Sequence, residues 1–223
     1  MSRNNRAPVF AIDRLPMWTD GPGITTLVGF MGCPLRCRYC VNNRCHEQIC
    51  EADGVTPRRG VMMLTPRRLY ERVKIDNLYF QATGGGICFG GGEPALYAGF
   101  IKEFRQICNP EWKITVETSL ATTLDNVRLL AEAADYLIVD VKSMNKEVYK
   151  EYTGEDMPPL DKYLSELRRL KGGEHVKVRV PMIPGFGSGD DAWLAAGEIT
   201  AMGFKNVDVF QYIVPDKKHQ NES

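Results

Sequence analysis

The chain has 223 residues, with Lys+Arg and Asp+Glu balanced at 28 each and 43% hydrophobic residues. Zero net charge argues against a nucleic-acid binder that relies on bulk positive charge, while the apolar share supports a full-sized core. No apolar run reaches the length of a membrane span, no leader pattern opens the chain, and seven cysteines is an odd count for a disulfide framework, so reduced thiols, metal ligation and a cytoplasmic setting are expected.

Residues 1–8 read as a loose arm, Val9 to Ile12 as a short strand and Asp20-Gly21-Pro22-Gly23 as a turn. Ile24 to Phe30 is the first strong strand. From Met31 to about Val61 the chain has no periodicity and the turn chemistry of a long functional loop. Thr65-Pro66 is a helix start, and that helix is expected to run to about Leu78. Ile87 to Phe89 is a buried strand, Ala95 to Ile107 a helix, and Lys113 to Val116 a strand. Asp125 to Ala134 is helical, and Tyr136 to Val139 is a strand ending at Asp140-Val141-Lys142. Asn145 caps a short helix ending near Gly154, and Pro159 to Leu170 forms another. Val176 to Val180 is a strand, Asp190 to Met202 a helix, and Val207 to Tyr212 the last strand.

One strand followed by five helix–strand units means a parallel sheet with right-handed crossovers. The expected architecture is α/β, a partial (β/α)6 TIM-like barrel with parallel strands, and a doubly wound open sheet is the alternative. A single domain over 1–223 would have an arm at 1–20, the barrel at 21–214 and a tail at 215–223. Function in either architecture collects at the carboxyl ends of the strands.

The placement of unusual residues fits that rule. Gly32-Cys33-Pro34-Leu35-Arg36-Cys37-Arg38-Tyr39-Cys40 follows the strand over 24–30, with its cysteines spaced C-x3-C-x2-C. Three thiolates on one loop can hold three corners of a four-iron cluster and leave one iron open. A zinc knuckle completed by Cys45, His46 or Cys50 is the bland reading, although zinc sites usually use C-x2-C pairs. Cys88 and Cys108, on a strand and a helix elsewhere, read as core residues. Gly90-x-Gly92-x-x-Ala95, with Glu117 ending the next strand, satisfies a loose dinucleotide fingerprint. It leaves the cysteine loop unexplained and puts Glu93 where a ligand phosphate would sit. Asp140 and Lys142 point to one face at a strand end, and Arg179 is either a ligand contact or an ion-pair partner.

Several further pieces resemble the radical S-adenosylmethionine (SAM) superfamily, and within it the glycyl-radical-enzyme activating enzymes. They are Asp20 to Ile24, the cysteine loop with Val41-Asn42-Asn43-Arg44, Gly84-Gly85-Gly86, Gly91-Gly92-Glu93-Pro94, Asp140 to Asn145 and Arg179 to Gly185, collinear over roughly 18–214. The resemblance implies a [4Fe-4S] cluster on Cys33, Cys37 and Cys40, with SAM as the second cofactor. It implies reductive cleavage of SAM to a 5′-deoxyadenosyl radical and hydrogen abstraction, most naturally from a glycine of a partner glycyl radical enzyme. A flavodoxin- or ferredoxin-type electron donor would serve it. Tyr39, Cys40, Val41, Gly91, Gly92, Glu93, Thr118, Asp140, Lys142 and Arg179 fall where that family contacts SAM. Glu117, Thr118 and Asp140 fall where it can hold a monovalent cation.

Departures bear on the substrate. The family's histidine falls at Ile213, its Asp-Thr-Asn-Gly is here Glu117-Thr118-Ser119-Leu120, and its ferredoxin-like insertion is absent. The chain ends about where the last helix and substrate-facing tail are expected, so a radical enzyme acting on a small molecule or peptide is the alternative.

Overall fold

A computed structural model describes residues 5–17 and 21–214 of the chain. Asp20, His219 and the expected tail at 215–223 lie outside the described residues. One eight-stranded sheet runs through the molecule in the order β3-β1-β2-β4-β5-β6-β7-β8. β2 (Ile24–Phe30), β4 (Gly86–Gly91), β5 (Lys113–Thr118), β6 (Tyr136–Asp140), β7 (Val176–Met182) and β8 (Asn206–Gln211) are parallel neighbours. These are the six expected strands, and the sheet does not close.

The two additional strands lie on the β2 edge. β1 (Ala7–Met17) is antiparallel to β2 and is longer than the expected Val9–Ile12, so Ala7 and Pro8 belong to the sheet and not to a loose arm. β3 (Met62–Leu64) pairs antiparallel with Ala7 to Val9 and ends the sheet. Pro8 has no backbone N–H, and it is tolerated because it sits between the short edge strand β3 and the last residues of β2. The loop between β2 and β3 thus leaves the sheet carrying the cysteines and returns to it two places away.

The helices form because their apolar residues recur at helical spacing and their ends are capped. α1 (Pro66–Val73) starts where expected, with Thr65 accepting from the Arg68 N–H. It stops five residues short of Leu78. Lys74–Asp76 tightens into a 3-10 turn before α2 (Asn77–Thr83). The cause is Asp76, whose buried carboxylate accepts from Arg14 Nη1 (3.0 Å) and Thr26 Oγ1 (2.9 Å) and so draws the backbone inward. Pro94–Tyr97 is likewise 3-10, and α3 is Ala98–Ile107. α4 (Leu124–Ala133), α5 (Lys146–Thr153), α6 (Leu160–Lys171) and α7 (Gly189–Ala201) follow the expected positions within one or two residues. Asn145 caps α5 by accepting from the Glu147 and Val148 N–H groups, and Gly154 ends it in the left-handed conformation.

The core lies between sheet and helices. Phe30 and Phe89 stack at 5.5 Å, with Phe100 and Phe104 edge-on against them. β4 is buried along both faces, as a central parallel strand should be. Cys88 and Cys108 are both buried, Cys108 within this packing.

Candidate functional site

A cavity of about 280 Å³ opens at the carboxyl ends of the parallel strands. The loop after β2 forms one wall, with Cys33, Cys37 and Cys40 lining it beside Tyr39 and Val41. The loop is held by the chain's own backbone. The Gly32 N–H donates to the Cys45 carbonyl (2.7 Å), Arg36 N–H to Thr153 (2.8 Å) and Arg38 N–H to Tyr152 (3.0 Å), the last two at the end of α5. Tyr39 packs among Tyr152, Phe186 and Tyr212.

The opposite wall carries charge. Glu117 and Thr118 end β5, Asp140 ends β6, Lys142 follows it, and Arg179 is the β7 residue in register with Asp140. Arg179 Nε donates to Asp140 Oδ1 at 2.6 Å, its Nη1 lies 3.2 Å from Glu117 Oε1, and Lys142 Nζ lies 3.2 Å from Asp140 Oδ2. Arg179 is thus the ion-pair partner of two carboxylates, and it also lines the cavity. Its guanidinium is the positive charge between Glu117 and Asp140, where the sequence offered a monovalent cation.

Glu93 is placed differently from the other candidates. It is buried and off the cavity wall. Its Oε1 accepts from the Thr118 hydroxyl (2.6 Å) and the Ala95 N–H (3.0 Å), and its Oε2 accepts from the Ser119 hydroxyl (2.6 Å) and N–H (2.9 Å). Glu93 thus caps the Pro94–Tyr97 turn and fixes the end of β5. Its own carboxylate fills the place a dinucleotide phosphate would need.

Gly91 and Gly92 line the cavity, but their lack of side chains serves the chain itself. A Cβ on Gly92 would overlap the Gly32 carbonyl oxygen, and one on Gly91, at φ +93°, would lie 2.8 Å from the Gly29 Cα. Close approach of β4's end to the cysteine loop requires Gly92, and its close approach to β2 and the Phe10 ring requires Gly91.

Burial and hydrogen bonding set the thiol acidities. Cys33 is pushed up to about 12 by burial, helped by the nearby Glu93 carboxylate. Cys37 is also raised by burial, with Lys142 acting against it. Cys40 is lowered to about 5, chiefly by a hydrogen bond from the Cys45 thiol, and Cys45 is raised in turn. Burial disfavours the charge on Asp140, yet Lys142 and Arg179 outweigh it and hold the carboxyl below its ordinary 3.8.

Cys45, expected only as a zinc-knuckle ligand, reaches the cavity beside Cys40, and Tyr212, expected at the end of the last strand, lines it too; Phe210 and Tyr152 also line it and were not singled out from the sequence. Ile213 is 85% exposed, and Tyr212 lines the cavity beside it. Alternation along β8 was the signal that could have selected 210 and 212 over 213. Cys50 stands apart in a bridge with Pro57.

Fold and site together define a partial-barrel protein that carries three cysteines on the loop after the first parallel strand. A sequence profile of the radical SAM superfamily matches residues 27–192, and the chain belongs to that superfamily. It is 25% identical over 236 residues to the (2S)-3-sulfopropanediol dehydratase activating enzyme of Klebsiella oxytoca, covering 81% of this chain and 73% of that one. It is 28% identical over 165 residues to the pyruvate formate-lyase-activating enzyme of Clostridium pasteurianum, covering 74% of this chain and 64% of the relative. Streptococcus suis SuiB, solved bound to S-adenosylmethionine, shares the fold, with a TM-score of 0.56 at 15% identity over 85% of this chain and 39% of SuiB. The chain thus spans less than two thirds of the Clostridium relative and under half of SuiB. None of the described helices is long and apolar enough to cross a membrane.

The superfamily implies a [4Fe-4S] cluster and SAM. The donor set fits both. Three thiols share one wall of a single cavity, and an ammonium, a guanidinium and two carboxylates face them across it.

Proposed function

We propose that the chain is a radical SAM enzyme that abstracts a hydrogen atom from a glycine of a partner glycyl radical enzyme. The observation that carries the reading is the cavity itself, with Cys33, Cys37 and Cys40 on one wall and the Glu117–Arg179–Asp140–Lys142 chain on the other. The names of the curated relatives support the activase assignment.

In this reading Cys33, Cys37 and Cys40 are the cluster ligands and leave one metal position open. Bound together, the two cofactors supply one-electron cleavage of a sulfonium and hydrogen transfer to the adenosyl carbon. Lys142 would hold the SAM carboxylate, and the Asp140 and Glu117 carboxylates would hold its ammonium. Gly91 and Gly92 leave their backbone open to it, and Tyr39 and Val41 border the adenosine end. Glu93 acts through Thr118 and Ser119, whose positions it fixes. Asp140, tied to Arg179 and Lys142, holds both cations in place before substrate arrives, and the aromatic cover of Tyr39, Tyr152 and Tyr212 limits water. A flavodoxin- or ferredoxin-type protein in the cytoplasm supplies the electron.

The test is anaerobic reconstitution with iron and sulfide, followed by reduction with SAM. Expected products are 5′-deoxyadenosine and, with a candidate partner, a glycyl radical by electron paramagnetic resonance. No SAM cleavage would overturn the radical reading. Cleavage with no protein radical on any candidate partner would overturn the activase assignment and leave a small molecule or peptide as substrate.

A further inference from the structure

A fourth cysteine, Cys45, lines the cavity without belonging to the C-x3-C-x2-C set. It sits in a 3-10 turn, Asn43–His46, immediately behind the cysteine loop. That turn is tied down on three sides. The Cys45 N–H donates to the Asn42 carbonyl (2.9 Å), the Cys45 carbonyl accepts from the Gly32 N–H (2.7 Å), and Asn42 Nδ2 donates to the Gly91 carbonyl (3.1 Å). The Cys45 side chain is thereby held against Cys40. One ligand atom from each of Cys40, Cys45 and His46 lies within 4.8 Å of the other two. The Cys45 thiol donates to the Cys40 sulfur, and the Asn42 N–H and the His46 ring add smaller contributions. Cys45 is only 2% exposed, so water does not compete for the thiol, and burial keeps its proton in place.

We propose that Cys45 is a positioning residue for the iron–sulfur cluster: its thiol donates to the Cys40 sulfur and raises the cluster's reduction potential. The inference rests on the cluster reading above, with Cys40 as a ligand. The physical reason is charge. Reduction adds one electron to a group whose sulfurs already carry negative charge, and a hydrogen bond to a ligand sulfur stabilises the reduced form more than the oxidised one. The thiol acts through Cys40 and is not itself a ligand, since a fourth thiolate would close the metal position that SAM needs.

The experiment uses the full chain reconstituted anaerobically with iron and sulfide. Midpoint potentials are read by redox titration, with dithionite supplying the electron and electron paramagnetic resonance detecting the reduced cluster. Cys45→Ala should keep the wild-type iron and sulfide content and shift the midpoint to lower potential. At the wild-type midpoint its ratio of reduced to oxidised cluster should fall about threefold or more, which is about 28 mV for a one-electron couple. Cys45→Ser keeps a donor and should lie between the two. Electron–nuclear double resonance in H2O and D2O should show an exchangeable proton coupled to the reduced cluster, and Cys45→Ala should lack it. Circular dichroism checks the folds, and Cys45→Val, which retains buried volume, takes the place of Cys45→Ala should that variant not fold. An unchanged midpoint in a folded, fully loaded variant would overturn the inference and leave the cluster reading intact. Loss of iron from a folded variant would make Cys45 a ligand and overturn it too. A wild type that assembles no cluster would overturn the cluster reading, and this inference with it.

Discussion

The Tyr212 hydroxyl donates to the Tyr39 backbone carbonyl across 173 residues of sequence, and the two rings stack 6.5 Å apart at 18°. The last strand is thereby fastened to the cysteine loop. Tyr212→Phe keeps the ring and leaves a carbonyl unpaired, which should cost about 0.5–1.5 kcal/mol. For a chain of this size the thermal midpoint should fall by roughly 1–6 °C. Tyr212→Ala also removes a cavity wall and should weaken SAM binding to the reconstituted protein, measured by calorimetry. Two variants with the wild-type midpoint and SAM affinity would show that the tie is idle.

Glu93 accepts four hydrogen bonds with two oxygens. Glu93→Gln nearly preserves shape but turns one acceptor into a donor, facing donors from Thr118 or Ser119. Leaving buried groups unpaired costs about 1–3 kcal/mol each, so urea unfolding should shift to lower midpoint with little change in slope. SAM cleavage should also slow, because Thr118 and Ser119 border the cavity. An unchanged urea midpoint would refute this account of Glu93.

Asp140 sets a pH dependence whose direction follows from Lys142 and Arg179. Its folded-state acidity is stronger than its ordinary value of 3.8. The folded state therefore binds fewer protons than the unfolded state in that range. Its contribution to stability is fully present above about pH 4 and is lost as pH falls through the lower folded value. Unfolding free energies measured from pH 6 to pH 2 should drop more steeply for the wild type than for Asp140→Asn. Parallel curves would contradict the ion-pair account.

Gly92→Ala tests the close approach of β4 to the cysteine loop. The added Cβ would collide with the Gly32 carbonyl oxygen, which accepts from the Glu93 N–H at 2.8 Å. Overpacking of this kind typically costs about 1–3 kcal/mol. Here the strain should fall on the loop that carries the thiols, so iron content after reconstitution should fall more than the fraction folded does. Normal iron loading would show that the contact can relax.

Much of the fold was legible because strand order, caps and glycine stops are local signals. Asn145 before α5, Gly154 after it and Thr65-Pro66 before α1 each act within a few residues. β3 was not legible. Met62–Leu64 is three residues long, and only its pairing with Ala7 to Val9 makes it a strand. The break after Val73 was hidden for a related reason, since Asp76 bends the chain toward Thr26, 50 residues away. In the site, the wall residues announced themselves as strand-end charges or loop thiols. Glu93 did not announce its buried role, because its partners Thr118 and Ser119 arrive from the next strand. Tyr212 was legible as the end of the last strand, whereas Ile213, where the family's histidine falls, is exposed.

The backbone bonds that hold the cysteine loop run to Cys45, Thr153, Tyr152 and Gly92's neighbour Glu93. They tie the loop to α5 and to the end of β4, so its ordering is expected to accompany chain folding. Incorporation of iron should then be limited by delivery and by proton release from buried thiols, rather than by a conformational search. Amide protons at Arg36 and Arg38 should resist exchange before any metal is added, and a protease should not distinguish the loaded loop from the empty one.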